Sequence, residues 1–239
     1  MEIINGLITT ADILSALILI CTILFILLKK GMQFTFLKLL AINAGYNLII
    51  TLLRLFLGHE NPAYAIGYNL TRPVDIITAL LILYVLWDKP LFRKFLIFSV
   101  IPVMVLWVKE LFAEPLDHIH LAALIPPSMW SIIITAVALA LLYQKPEKQN
   151  FVFTRFLIVS GFMIYNFTYF IIEALMPYYF FAKTFEEQRM LVPQIGLLNL
   201  GAYFFTRVIL LLAAADFLSD ISYRKTQLAL QRQFFPGHS

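Results

Sequence analysis

Apolar residues run in seven stretches along the chain, at about 8–28, 35–57, 73–88, 94–112, 120–143, 153–181 and 191–216. About 20 helical residues cross a bilayer core, so each stretch is read as a spanning helix, the third being the shortest. The breaks carry charge and turn residues: Lys29-Lys30-Gly31, Gly58-His59-Glu60-Asn61-Pro62, Asp88-Lys89-Pro90, Glu114-Pro115-Leu116-Asp117, Lys145-Pro146-Glu147-Lys148 and Phe185-Glu186-Glu187-Gln188-Arg189. Loops this short predict antiparallel neighbours in sequence order. The expected fold is all-α: a polytopic membrane protein with a seven-helix domain over 1–219 and a basic tail over 220–239. Pro102 and Pro126-Pro127 fall inside the fourth and fifth stretches, where kinks are expected.

Composition agrees with the pattern. Of the 239 residues 61% are hydrophobic and only 13% charged, where a soluble domain carries about 25% charge. This excludes an ordinary soluble enzyme and a disordered chain. The net charge of +4 is explained by loop lysines and arginines rather than by a nucleic-acid partner. Lys29, Lys30, Lys38, Lys89, Arg93, Lys94, Lys145, Lys148, Arg155, Arg224, Lys225 and Arg232 fall on one side of the alternation. Arg72, Lys109, Lys183 and Arg189 fall on the other, with most of the acids. The positive-inside rule then places the N-terminus outside and the C-terminus in the cytoplasm of a cell-membrane protein, and the alternation fits an odd number of spans. Glu2 and Asp12 with no basic n-region argue against a cleaved signal peptide. The single cysteine rules out an intrachain disulfide.

Charged and amide residues at membrane depth are costly and mark functional sites by default. Asn43, Asn47, Thr51 and Arg54 on the second helix recur at spacings of 4, 4 and 3 and form one stripe. Asn166, Tyr169 and Glu173 form another on the sixth. Asn199, Tyr203, Thr206 and Arg207 form a third on the seventh, and Asp75 and Thr78 lie on the third helix. With helices two and six running outward, Arg54, Asp75, Glu173, Asn199 and Tyr203 are expected to share an outward-facing pocket. Arg207 lies deeper, with Asn47. Arg54 paired with Asp75 or Glu173 as a purely structural ion pair is the competing expectation. No catalytic signature is present, so no enzyme activity is expected. The four histidines lie in loops or the tail; no haem pair is expected, and His118-Ile-His120 reads as a solvated loop rather than a metal site. Asn69-Leu70-Thr71 is a glycosylation sequon, and Trp87, Trp107 and Tyr143 read as interfacial anchors.

Two short matches resemble microbial rhodopsins. Arg72-Pro-Val-Asp75 resembles the family's Arg-x-x-Asp, and Leu198-Asn-Leu-Gly-Ala-Tyr203 its Leu-Asp-x-x-Ala-Lys. The resemblance implies a rhodopsin-like bundle with Asp75 and Asn199 at counterion positions. Tyr203 stands where the retinal lysine would be and no helix interior holds a lysine, so no retinal cofactor is expected. The N-out, C-in order is also similar to bacterial seven-span sensor modules. Residues after Asp216 extend the seventh helix as an amphipathic stalk in that comparison, or lie as a basic helix on anionic lipid. The resulting expectation is a receptor-like sensor of a small molecule or ion, signalling through its tail to a cytoplasmic partner. The alternative is a small-molecule or ion transporter using the same buried charges.

Overall fold

Turn chemistry sets the helix boundaries. Lys30 adopts a left-handed backbone and a short 3-10 turn follows at Gly31–Gln33. A Cβ on Gly31 would lie 2.9 Å from the Ile26 carbonyl oxygen, so no side chain fits there. In this computed structural model α1 (Glu2–Leu28) ends before that turn and α2 (Thr35–Leu57) begins after it. Then follow α3 (Pro62–Leu86), α4 (Pro90–Ala113), α5 (Ile125–Tyr143), α6 (Val152–Ala182) and α7 (Phe185–Phe234). The structure describes residues 2–58, 61–113, 125–144, 151–182 and 185–234, without the side chains of 2–5, 71–72, 110–111, 113, 125–128, 172–182, 185–194, 196, 199 and 227–234. His118, His120, Lys145 and Lys148 lie outside the described residues.

Among the described residues every regular element is a helix. Four segments, Gly6–Leu28, Thr35–Leu57, Pro62–Leu86 and Pro90–Lys109, are long and apolar enough to cross a membrane, and Met129–Tyr143 is a shorter apolar helix. The described residues are thus those of a helical protein with the spans of a membrane protein. Helices consecutive in sequence pack together, and α7 also packs on α1.

The third helix corrects the sequence reading. It starts at Pro62, not near 73, because Asn61 caps it, its side chain accepting from the Ala63 N–H at 2.9 Å, and Pro62 fits the first turn. The early turns carry Tyr64, Tyr68 and Asn69, which read as loop residues. Tyr64 and Asn69 are instead buried, so the sequon at Asn69 sits inside a packed helix. Asp75 moves accordingly from a helix end to the middle of α3. Pro126-Pro127 moves the other way, into the first turn of α5, where a missing N–H costs nothing.

Pro73 stands inside α3 and leaves the Asn69 carbonyl, four residues back, without its helical donor. Trp107 Nε1 on α4 donates to that oxygen at 2.9 Å. Trp107, expected as an interfacial anchor, thus also bridges α3 and α4. Trp87 departs from the same expectation: it is 2% exposed, with the Arg155 guanidinium over its ring.

The apolar core occupies one half of the bundle. Ile26, Phe36, Leu40, Leu83, Phe92, Leu96, Ile158, Val159, Ala213 and Phe217 belong to it. They come from the end of α1, the starts of α2, α4 and α6, and the later parts of α3 and α7. Gly161 lets α6 and α7 approach closely, its Thr206 neighbour donating to the Gly161 carbonyl at 3.2 Å. Beyond this core α7 continues without a break to Phe234, 50 residues in all, or about 75 Å at 1.5 Å per residue. Thr154 Oγ1 donates to Asp216 Oδ2 at 2.6 Å and ties α6 to α7 at the level of the core.

Replacing Trp107 by Phe leaves the Asn69 carbonyl without the indole donor and should cost about 1–3 kcal/mol. Adding Pro73→Ala restores the helical N–H. Thermal unfolding of the purified chain should then show the double variant recovering part of the loss caused by Trp107→Phe alone.

Candidate functional site

The polar stripe of α2 faces inward as its spacing requires. Asn43, Asn47 and Thr51 are all buried. Asn43 Nδ2 donates to Asp75 Oδ1 at 2.9 Å and to Thr78 Oγ1 at 2.9 Å. Asn47 Nδ2 reaches the Asn43 carbonyl at 2.9 Å and Asp75 Oδ1 at 3.2 Å. The Tyr203 hydroxyl, on α7, donates to Asn47 Oδ1. Two amides from one helix therefore bind a carboxylate on α3 and a phenol on α7.

Arg207 lies one turn beyond Tyr203 and is 3% exposed. Its Nη2 donates to Thr51 Oγ1 at 3.0 Å, and Thr51 donates in turn to the Asn47 carbonyl at 2.8 Å. The guanidinium stacks on the Tyr203 ring, 3.5 Å from its centroid. Stacking uses the face of the guanidinium and leaves its in-plane N–H groups available. Among the described residues Nε and Nη1 are buried without a hydrogen-bond partner.

These groups border an interior cavity of about 40 Å³, whose polar wall includes Asn43, Asn47, Asp75, Asn166, Tyr203 and Arg207. Leu19, Leu40, Ile76, Phe162 and Leu210 supply apolar wall. Asn166 Nδ2 donates to the Phe162 carbonyl at 2.7 Å. Tyr165 lies 5.3 Å from Tyr203 and 5.8 Å from Tyr169, ring to ring, and Tyr169 meets the hydroxyl of Tyr68. Six helices contribute, and a space this small holds roughly three water-sized occupants.

Arg54 is not part of this wall. Its expected pairing with Asp75 or Glu173 is replaced by an ion pair with Asp12 of α1. The reason is register. Asp75 sits at mid-helix beside Asn43 and Asn47, whereas Arg54 lies in the last turn of α2, level with the early part of α1. Asp12 is 3% exposed and Ser15 and Thr22 are buried with it. The spacing Asp12, Ser15, Leu19, Thr22 is helical, a signal masked by the apolar residues around it. The side chains of Glu173, Asn199 and Arg72 lie outside the described residues. The backbone still places two of them. Contacts between Tyr165 and Tyr203 and between Gly161 and Thr206 make α6 and α7 antiparallel. Asn199 then lies on the level of Tyr169, and Glu173 about 18 Å along the axis from the level of Arg207.

The site thus combines an amide–carboxylate–phenol network with a buried cation whose donors are incompletely used. Among the described residues it shows no nucleophile hydrogen-bonded to a base. Comparison with protein-family models, with curated proteins and with solved structures finds no match.

The Asp12–Arg54 assignment has a direct consequence. Arg54→Met leaves Asp12 buried without its charge partner and should lower stability by about 3–5 kcal/mol. Adding Asp12→Leu should recover most of that loss, and adding Asp75→Asn should recover none, as read by thermal unfolding of the purified protein.

Proposed function

We propose that the chain is a seven-span membrane protein, N-terminus outside and C-terminus in the cytoplasm, that works as a receptor-like sensor without enzyme activity. A small polar ligand or ion would occupy the cavity bordered by Asn47, Asp75, Asn166, Tyr203 and Arg207. The observation that carries this reading is Arg207: a buried cation with two unpartnered donor atoms beside a cavity. Its helix, α7, runs on from the cavity to Phe234. Anything that changes how Arg207 is held acts on that helix. In this topology Asp12 and Arg54 lie on the outer side of the cavity, and the apolar core closes the inner side. Glu173 and Asn199, at the outer levels of α6 and α7, would stand along the entry route.

A transporter would use the same polar groups, but its solute would have to pass Leu210, Ala213, Ala214 and Phe217, which belong to the packed apolar core. That plug favours sensing. No retinal Schiff base enters the proposal, since Tyr203 occupies the corresponding position and is engaged with Asn47. The partners implied are the lipid bilayer and a cytoplasmic protein reading the end of α7.

Two measurements test the proposal. In a Cys21→Ser background, a membrane-impermeant maleimide on intact cells should label Asn61→Cys and spare Met32→Cys; the opposite pattern reverses the topology. Spin labels at Gln33 and Ser222 should then report a displacement of about 1–2 Å or more when Arg207→Gln removes the buried charge. An unchanged distance would remove the sensing role, and solute flux through proteoliposomes that Arg207→Gln abolishes would replace it by transport.

A further inference from the structure

We infer that the ligand of the cavity is a small monovalent anion of halide size, held in the plane of the Arg207 guanidinium. The inference rests on the reading of the cavity as a ligand site and names the chemistry of its occupant. A charged side chain inside an apolar bundle is retained when its charge and its donors are both answered. For Arg207 they are answered in part. Thr51 takes one N–H, and the Tyr203 ring covers one face. Among the described residues no carboxylate lies within ion-pair distance of it, and Nε and Nη1 have no acceptor.

Asp75 does not fill that role. Its Oδ1 is taken by the amides of Asn43 and Asn47, and the path from it to Arg207 runs through Asn47 and then Thr51 or Tyr203. Glu173 is about 18 Å away along the helix axis by the register of α6 against α7. The missing partner is therefore an acceptor that comes from solution. Nε lies on the edge of the fork it shares with Nη2, and Nη1 lies at the end of the fork, so the anion takes one of the two free donors and a water in the same space takes the other. Ser131 and Asn166 supply further polar wall and Ala44 bounds the space. A volume of about 40 Å³ admits a monatomic ion with a water or two and excludes sulfate with its hydration. Water would satisfy the donors, but only an anion sets a countercharge in direct contact with the guanidinium, since Asp75 borders the same cavity without forming an ion pair with Arg207.

The test uses the full chain in nanodiscs at constant ionic strength, with gluconate replaced stepwise by chloride, bromide or sulfate. Chloride and bromide should raise the unfolding midpoint by about 5–10 °C at a hundredfold excess over half-saturation. Sulfate should not. Arg207→Gln should abolish the rise, and Ala44→Val, which fills the cavity and leaves the charge, should abolish it as well. Should Arg207→Gln fail to fold, Ala44→Val decides alone. A midpoint equal in chloride and gluconate, an equal rise in sulfate, or a rise that survives in Ala44→Val overturns the inference. Halide stabilisation with no movement of the Gln33–Ser222 label pair would leave the anion site standing and remove the sensing role. Movement without halide stabilisation would do the reverse.

Discussion

An amide or a guanidinium at the centre of an apolar bundle has no water to turn to, so its partners must come from neighbouring helices. The stripe Asn43–Asn47–Thr51 on α2 imposes this condition on the rest of the molecule. Each amide can be satisfied only if α3 brings Asp75 and Thr78 to one side and α7 brings Tyr203 and Arg207 to the other. Apolar contacts between helices in lipid are nearly interchangeable, because the tails are as apolar as leucine. The hydrogen bonds are not interchangeable. They set the register of α2 against both neighbours, and the cavity is the space left where α1, α5 and α6 close around that arrangement.

Much of this was legible in the residues. The helical spacing of the α2 stripe gave its inward face, and the apolar runs gave α2 and α6 to within a residue or so. What hydropathy misjudges is polar sequence that folds inward. Tyr64, Tyr68 and Asn69 dilute the start of α3 below any apolar threshold, yet they lie in its first turns. Losing those turns displaced Asp75 from mid-helix to the end, and with it the expected partner of Arg54. Asp12 was hidden by the converse effect: one carboxylate in a strongly apolar helix reads as a terminal exception until its spacing to Ser15 and Thr22 is followed. A single error of helix start therefore propagated into an error of charge pairing. Depth in a bundle is inherited from the nearest helix end.

Proline illustrates why composition alone cannot locate a kink. Pro73 lies inside α3, and the orphaned Asn69 carbonyl is answered from α4 by Trp107. Pro126-Pro127 lies in a first turn and disturbs nothing. The same residue type is a structural cost in one place and neutral in another, and the difference is whether the missing N–H was needed. The Trp107 indole was assigned to the membrane interface because tryptophan is frequent there. Its hydrogen bond shows a further role that composition does not reveal, the joining of two helices.

The division of the bundle into a polar half and an apolar half bears on how a signal would travel. The apolar half is tightly interlocked around Phe217, whose ring packs against Phe34, Phe36 and Phe151 at 4.7–5.7 Å. Packed interiors respond to strain as bodies rather than by local yielding. A change at Arg207 therefore reaches Phe217 through the rigid helix between them, and not through rearrangement of the side chains along the way. Helix α7 is tied to α6 at Gly161 and Thr206, where the small residue permits close approach, and again at Thr154 and Asp216. Between those two ties the helix can shift along its axis or turn about it only as a unit. The stretch from Asp220 to Phe234 continues the same helix, so in the proposed sensor a buried cation less than a turn from Leu210 of the core would act on its far end through that helix.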